Sequence, residues 1–136
     1  MKKPSRESDA RSVARGERAI AALRPFFRRD EVESKVAKMF PNQIKRVWEI
    51  LSEYQSESEE LTCRIHLDAL KLSEGSIEVL REQIKEAQED IRFVIVPAEN
   101  PRLFRPGMEM LDVAPEDEQD RASEADIKEY LEWIHN

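Results

Sequence analysis

The chain has 136 residues, 40% of them hydrophobic, and a formal net charge of −7. This length predicts one domain, and the share of apolar residues predicts a packed core rather than a disordered chain. The single cysteine, Cys63, excludes an internal disulfide, and three isolated glycines with two histidines exclude phosphate-cradling loops and multi-histidine metal centres.

The basic and acidic residues are unevenly distributed along the chain. Residues 1–29 contain nine bases and three acids, whereas residues 30–98 carry a net charge of −6 and residues 99–136 a net charge of −7. We predict a basic, disordered tail over 1–8 and a basic arm that extends it. The bases of the arm are Lys2, Lys3, Arg6, Arg11, Arg15 and Arg18. Such an arm suits phosphates or an acidic protein surface.

The first half of the chain predicts helices. A helix starting at Ser8 or Asp9 is expected to run to about Arg24, where Pro25 ends it. A second follows from Asp30, and a third spans about 41–54. The apolar side chains of the third helix recur at helical spacing. They are Ile44, Val47, Trp48, Leu51 and Tyr54.

The spacing of apolar residues then changes to every second residue, and residues 61–69 predict a β-strand. Apolar residues alternate with polar ones, which is the pattern of a strand with one buried face. The apolar set is Leu61, Cys63, Ile65, Leu67 and Ala69, and the polar set is Thr62, Arg64, His66 and Asp68. On such a strand Cys63 and His66 point to opposite faces. This placement excludes their joint action as a nucleophile and a base.

The second half completes a predicted β-α-β unit. A helix over about 74–89 carries an inward apolar stripe, and the apolar run over 91–96, ended by Pro97, predicts a buried central strand. A third strand is expected near 108–113 and a last helix over 124–135. The predicted fold is therefore α+β, or small α/β, with two layers. It forms one globular domain over 9–136, with a helical part (9–55) followed by the β-α-β unit and last helix (61–136).

Polar side chains near the predicted sheet give the candidate chemistry. His66 and Asp68 share the polar face of the first strand, and Asp68 and Glu99 lie at the carboxyl edge where ligands bind in open α/β sheets. Ser73, Glu74 and Asn100 are expected at the same edge. A small enzyme or metal-dependent protein using His66, Asp68 or Glu99 is thus one hypothesis for function. The alternative is that these residues have no chemical role and form a solvent-exposed strand face and acidic loops.

The sequence favours a non-catalytic interaction module over that hypothesis, because no complete catalytic constellation, cofactor motif or metal motif is present. The loop Arg102, Leu103, Phe104 and Arg105 places apolar residues between arginines, a combination favoured at interface centres. We therefore expect a protein partner or self-association. The alternative is that the basic arm binds nucleic acid or another anionic partner.

Apolar runs are far shorter than the roughly 20 residues of a membrane helix. Acidic residues interrupt the start of the chain, so the pattern of a secretory signal is missing there. The expected location is the cytoplasm, with no membrane contact. The motifs are generic and indicate no family.

Overall fold

The computed structural model describes the backbone of residues 21–102 and 116–136 and the side chains of 21–102 and 124–136. All regular elements in these ranges are helical. A helical turn over 21–23 leads into a 3-10 turn, Arg24–Phe26. The longer helices are α1 (Arg29–Met39), α2 (Ile44–Leu51), α3 (Glu59–Ser73), α4 (Ile77–Glu89), α5 (Arg92–Glu99) and α6 (Glu116–His135).

Helix α3 is the centre of the described structure, because α1, α4 and α5 all pack against it. Helix α2 packs on α4, and α6 packs on α5. The core side chains of α3 meet those of its neighbours in one cluster that also includes Leu80, Val94 and Tyr130. Between Thr62 and Leu70 only Arg64 is not fully buried. A helix enclosed on nearly all sides must find partners for its polar side chains inside the protein.

Two serines define where α3 and α4 begin. The Ser58 hydroxyl accepts a hydrogen bond from the Leu61 amide at 3.1 Å, and Ser76 accepts one from Val79 at 3.3 Å. These bonds satisfy amides that have no partner within the helix. Between the two helices, Glu74 and Gly75 have positive φ angles of 50° and 85°. This left-handed turn reverses the chain and lets α4 fold back on α3.

The strand predicted at 61–69 is wrong, because these residues lie inside α3. Their alternation does not separate a buried face from a solvated one: Thr62, His66 and Asp68 are as buried as their apolar neighbours. Each of these polar side chains hydrogen-bonds to another part of the protein instead. The alternation of polar and apolar residues therefore follows the positions of hydrogen-bond partners around a buried helix.

The strand predicted at 91–96 is also wrong, since α5 covers most of it and continues through Pro97. An apolar run this short fits a buried helix as well as a strand. Phe93, expected in a central strand, is 52% exposed on the outer side of α5. With both strands absent from the described residues, the β-α-β unit and the α+β or α/β fold class are wrong, and the described fold is all-helical.

The structure contains the predicted helices in the ranges it describes. The helices of the first half appear as α1 and α2, the helix predicted at 74–89 begins later as α4, and α6 includes the one predicted at 124–135. The third strand (108–113), the tail (1–8) and most of the first helix lie outside the described residues.

The carboxyl end of α6 is fixed by contacts from α1 and from the 3-10 turn before it. The Lys35 ammonium donates to the backbone carbonyls of Trp133 and Asn136 and lies 4.4 Å from the centre of the Trp133 ring. A cation at this end suits the helix dipole. Phe26 also packs edge-on against His135, with ring centres 5.2 Å apart.

Candidate functional site

The most concentrated polar chemistry of the described residues lies where α3, α5 and α6 meet. Arg64 of α3 donates from Nε and Nη2 to the two carboxylate oxygens of Glu99 at the end of α5, at 2.7 and 2.6 Å. Asp68, one turn after Arg64, accepts from the Tyr130 hydroxyl of α6 at 2.8 Å. The Arg64 guanidinium also covers the Phe27 ring at 5.2 Å. We call Arg64, Asp68, Glu99 and Tyr130 the buried polar cluster.

Burial gives this cluster its electrostatic character. Asp68 and Tyr130 have no exposed surface, and Glu99 is 4% exposed. Burial, followed by the nearby negative charge of Glu99, raises the pKa of Asp68 well above its usual value. Burial and the neighbouring carboxyl groups likewise raise the pKa of Tyr130 well above its usual value, so its hydroxyl keeps its proton. The cluster therefore contains one ion pair, Arg64–Glu99, and two neighbouring groups whose neutral forms are favoured.

His66 lies elsewhere on α3 and does not join Asp68 and Glu99. Its Nε2 is 2.9 Å from the backbone oxygen of Tyr54, and its Nδ1 is 3.4 Å from Arg29 Nη1. Since a carbonyl only accepts and a guanidinium only donates, Nε2 carries the proton and the ring is neutral. Burial, together with the nearby Arg29 charge, lowers the pKa of His66. The structure thus places His66 and Asp68, predicted on one strand face, at two separate sites.

A small open pocket of about 350 Å³ lies beside His66. Arg29 stacks over the Trp48 ring at 5.4 Å on this side of the molecule and pairs with Glu59 at 3.0 Å. The pocket is lined by Arg29, Glu33, Trp48, Ser52, Gln55 and His66. Because Arg29 is already paired with a carboxylate and stacked on a ring, its charge is largely committed within the protein.

Cys63 and His66 are both inside α3, so the opposition predicted from a strand does not hold. Three residues apart on a helix, they lie on neighbouring positions of one side. The thiol is nevertheless a poor nucleophile: burial raises the pKa of Cys63 to about 11, and its sulfur lies 3.6 Å from the Glu59 carboxylate. A protonated thiol beside an acid does not form the thiolate pair that cysteine catalysis needs.

Arg102 is the described residue of the predicted interaction loop, and it is bound to α6. Its Nη1 donates to Asp126 Oδ1 at 2.6 Å, and its Nη2 donates to Glu129. Asp126 is buried, and burial raises its pKa while Arg102 opposes that effect. Leu103, Phe104 and Arg105 lie outside the described residues, as does the basic arm of Lys2, Lys3, Arg6, Arg11, Arg15 and Arg18.

The outer side of α6 carries an open surface groove with a volume of about 580 Å³. Its apolar floor consists of Ile127 and Leu131, which are half-buried. Charged side chains flank them one turn apart. The lining residues are Glu124, Ile127, Lys128, Leu131, Glu132, His135 and Asn136.

The sequence does not predict the buried polar cluster as a unit, because its pattern places Arg64 on a strand and Tyr130 on a separate helix. The available signal was the spacing of Arg64 and Asp68, opposite charges four residues apart, which are neighbours one turn apart on a helix but far apart along a strand. Among the described residues, no group of three or more His, Cys, Asp or Glu side chains is placed to hold a metal ion. Likewise, no helix in the described ranges has the length and apolar character needed to cross a membrane.

Comparisons with protein-family models, with curated proteins and with solved structures found no match to this chain.

Proposed function

We propose that this protein is a non-catalytic interaction module that associates with a second copy of itself through the outer side of α6. The observation that supports this proposal is the apolar groove over Ile127 and Leu131. Half-exposed apolar side chains in a groove gain free energy when a partner surface removes them from water. The candidate catalytic groups, in contrast, are occupied by internal hydrogen bonds or protonated.

The charges beside the groove favour a second copy as the occupant. Glu124, Lys128 and Glu132 follow one another at four-residue steps, so the sign alternates along one side of α6. In an antiparallel pair with Ile127 and Leu131 of opposite copies within about 3 Å along the helix axis, like charges of this row stay about 6 Å or more apart when Lys128 of one copy is level with Glu132 of the other. The two-fold symmetry of such a pair makes this contact twice.

The test is a charge reversal followed by its compensation. Lys128→Glu replaces two attractive contacts by two repulsive ones, and at roughly 0.2–1 kcal/mol for each exposed pair we expect the dimer to weaken about fourfold or more. The double variant Lys128→Glu with Glu132→Lys restores opposite charges across the interface and should recover association. Sedimentation equilibrium of the full chain over a range of concentrations measures both effects.

Lys45→Glu is the matched control, because Lys45 is exposed on α2, away from the groove, and the charge change is the same. It should leave the dimer unchanged, and circular dichroism should show equal helix content in all variants. A wild-type chain that is monomeric at all concentrations contradicts the proposal. So does a double variant that associates no better than Lys128→Glu.

A further inference from the structure

The buried polar cluster contains one atom whose bonding is incomplete. Asp68 Oδ2 is the only fully buried side-chain nitrogen or oxygen in the described part of the chain that has no hydrogen-bond partner. Leaving such an atom unpaired costs free energy, and an ionised carboxylate costs most. The Asp68 carboxyl group lies within hydrogen-bonding reach of Glu99, but two carboxylates have no proton with which to bond.

We infer that Asp68 and Glu99 hold one buried proton between them, carried on Asp68 Oδ2 and donated to Glu99, and that this proton locks α6 onto α3 and α5. With the proton in place, every group of the cluster is paired. Tyr130 donates to Asp68 Oδ1, Asp68 donates to Glu99, and Glu99 accepts from Arg64. The cluster as a whole is then electrically neutral.

The groups around Asp68 explain why the proton remains on this side chain. From α5 the neighbour is Glu99, a negative charge that opposes ionisation of Asp68. From α3 it is Arg64, whose two N–H groups are already directed at Glu99. From α6 it is the neutral Tyr130, whose ring centre lies 5.9 Å from the ammonium of Lys71 in α3. The positive charge of Arg64 is thus paired with the carboxylate of Glu99, and the carboxyl group of Asp68 stays neutral.

The proton makes folding dependent on pH in a defined direction. An unfolded Asp titrates near pH 4, whereas burial and the charge of Glu99 raise the pKa of Asp68 in the folded protein. Above about pH 4 Asp68 therefore holds a proton in the folded chain that it has lost in the unfolded chain. The contribution of Asp68 to the folding equilibrium constant then falls with rising pH, by up to tenfold per pH unit, until the folded pKa is reached.

Asp68→Asn tests this inference, because the amide keeps the shape of a protonated carboxyl. Its NH₂ group donates to Glu99 and its oxygen accepts from Tyr130, but folding no longer takes up a proton. Urea unfolding of wild type and variant is measured from about pH 4 to pH 8. We expect the ratio of the variant's folding constant to that of wild type to rise by up to tenfold per pH unit, with the variant the more stable at neutral pH.

Asp90→Asn provides the control, since Arg92 lowers the pKa of Asp90 and this ratio should not rise with pH. A ratio for Asp68→Asn that stays flat or falls as pH rises overturns the inference. If that variant does not fold, infrared spectroscopy of the native wild type at pH 7 decides. The carbonyl band of a protonated carboxyl should be present and disappear on unfolding, and its absence from the native protein overturns the inference equally.

Discussion

The hydroxyl of Tyr130 gives the sharpest test of how α6 is attached to the rest of the protein. Tyr130→Phe keeps the buried ring and its packing against Phe27 and Trp133, whose ring centres lie 6.4 and 5.6 Å away. What it removes is the donor to Asp68 Oδ1. Because Asp68 is fully buried, no water replaces the lost bond without a rearrangement.

The expected cost follows from that burial. Removing one partner of a buried hydrogen bond costs about 1–3 kcal/mol, against a total stability of roughly 5–15 kcal/mol for an ordinary domain. At about 2 kcal/mol the ratio of unfolded to folded protein rises close to 30-fold. We expect this change in the free energy of unfolding from urea denaturation at neutral pH, with the dependence on urea concentration unchanged.

Tyr54→Phe is the matched control. Tyr54 is half-buried, and its bond to His66 is made by the backbone carbonyl, which the substitution leaves in place. Its effect should stay within about 0.5 kcal/mol. Equal losses for the two tyrosines, or no loss for Tyr130→Phe, refute the reasoning that the Tyr130–Asp68 bond is buried and structural.

Two further predictions concern the other side of α3. His66 has a lowered pKa in the folded protein, so its contribution to stability should fall as pH drops below about 6.5, where the unfolded imidazole takes up a proton first. His66→Gln should reduce that fall in urea titrations, and an unchanged acid limb contradicts the assignment. Cys63, with its pKa raised to about 11 by burial, should react with thiol reagents at pH 8 only after unfolding. Rapid modification of the native protein contradicts its burial.

The sequence predicts a helix correctly where one side of that helix faces solvent. The stripe of Leu80, Ile84 and Ala87 identified α4, because the intervening residues are exposed and polar. That helix begins later than predicted, because Ser76 makes the cap, whereas the Ser73 hydroxyl bonds to the Leu70 carbonyl inside α3. Caps and stripes are local, so a sequence contains most of what determines them.

The sequence does not predict the central helix, α3, from an apolar stripe in this way. In α3 the polar residues face partners supplied by distant parts of the chain, Tyr54 for His66 and Tyr130 for Asp68. Those partners become visible only once the fold is known, and without them the alternation resembles a strand. Asp68 and Glu99 do lie together, although the reason is that α5 packs on α3 rather than that two strands end at one sheet edge.

The most direct test of this account is an NMR assignment of residues 61–69 in the full chain. The account predicts helical carbon shifts throughout, contacts between Cys63 and His66 protons, and contacts between the Tyr130 ring and the Asp68 methylene. Strand-type shifts, with cross-strand contacts between 61–69 and 91–96, would contradict it.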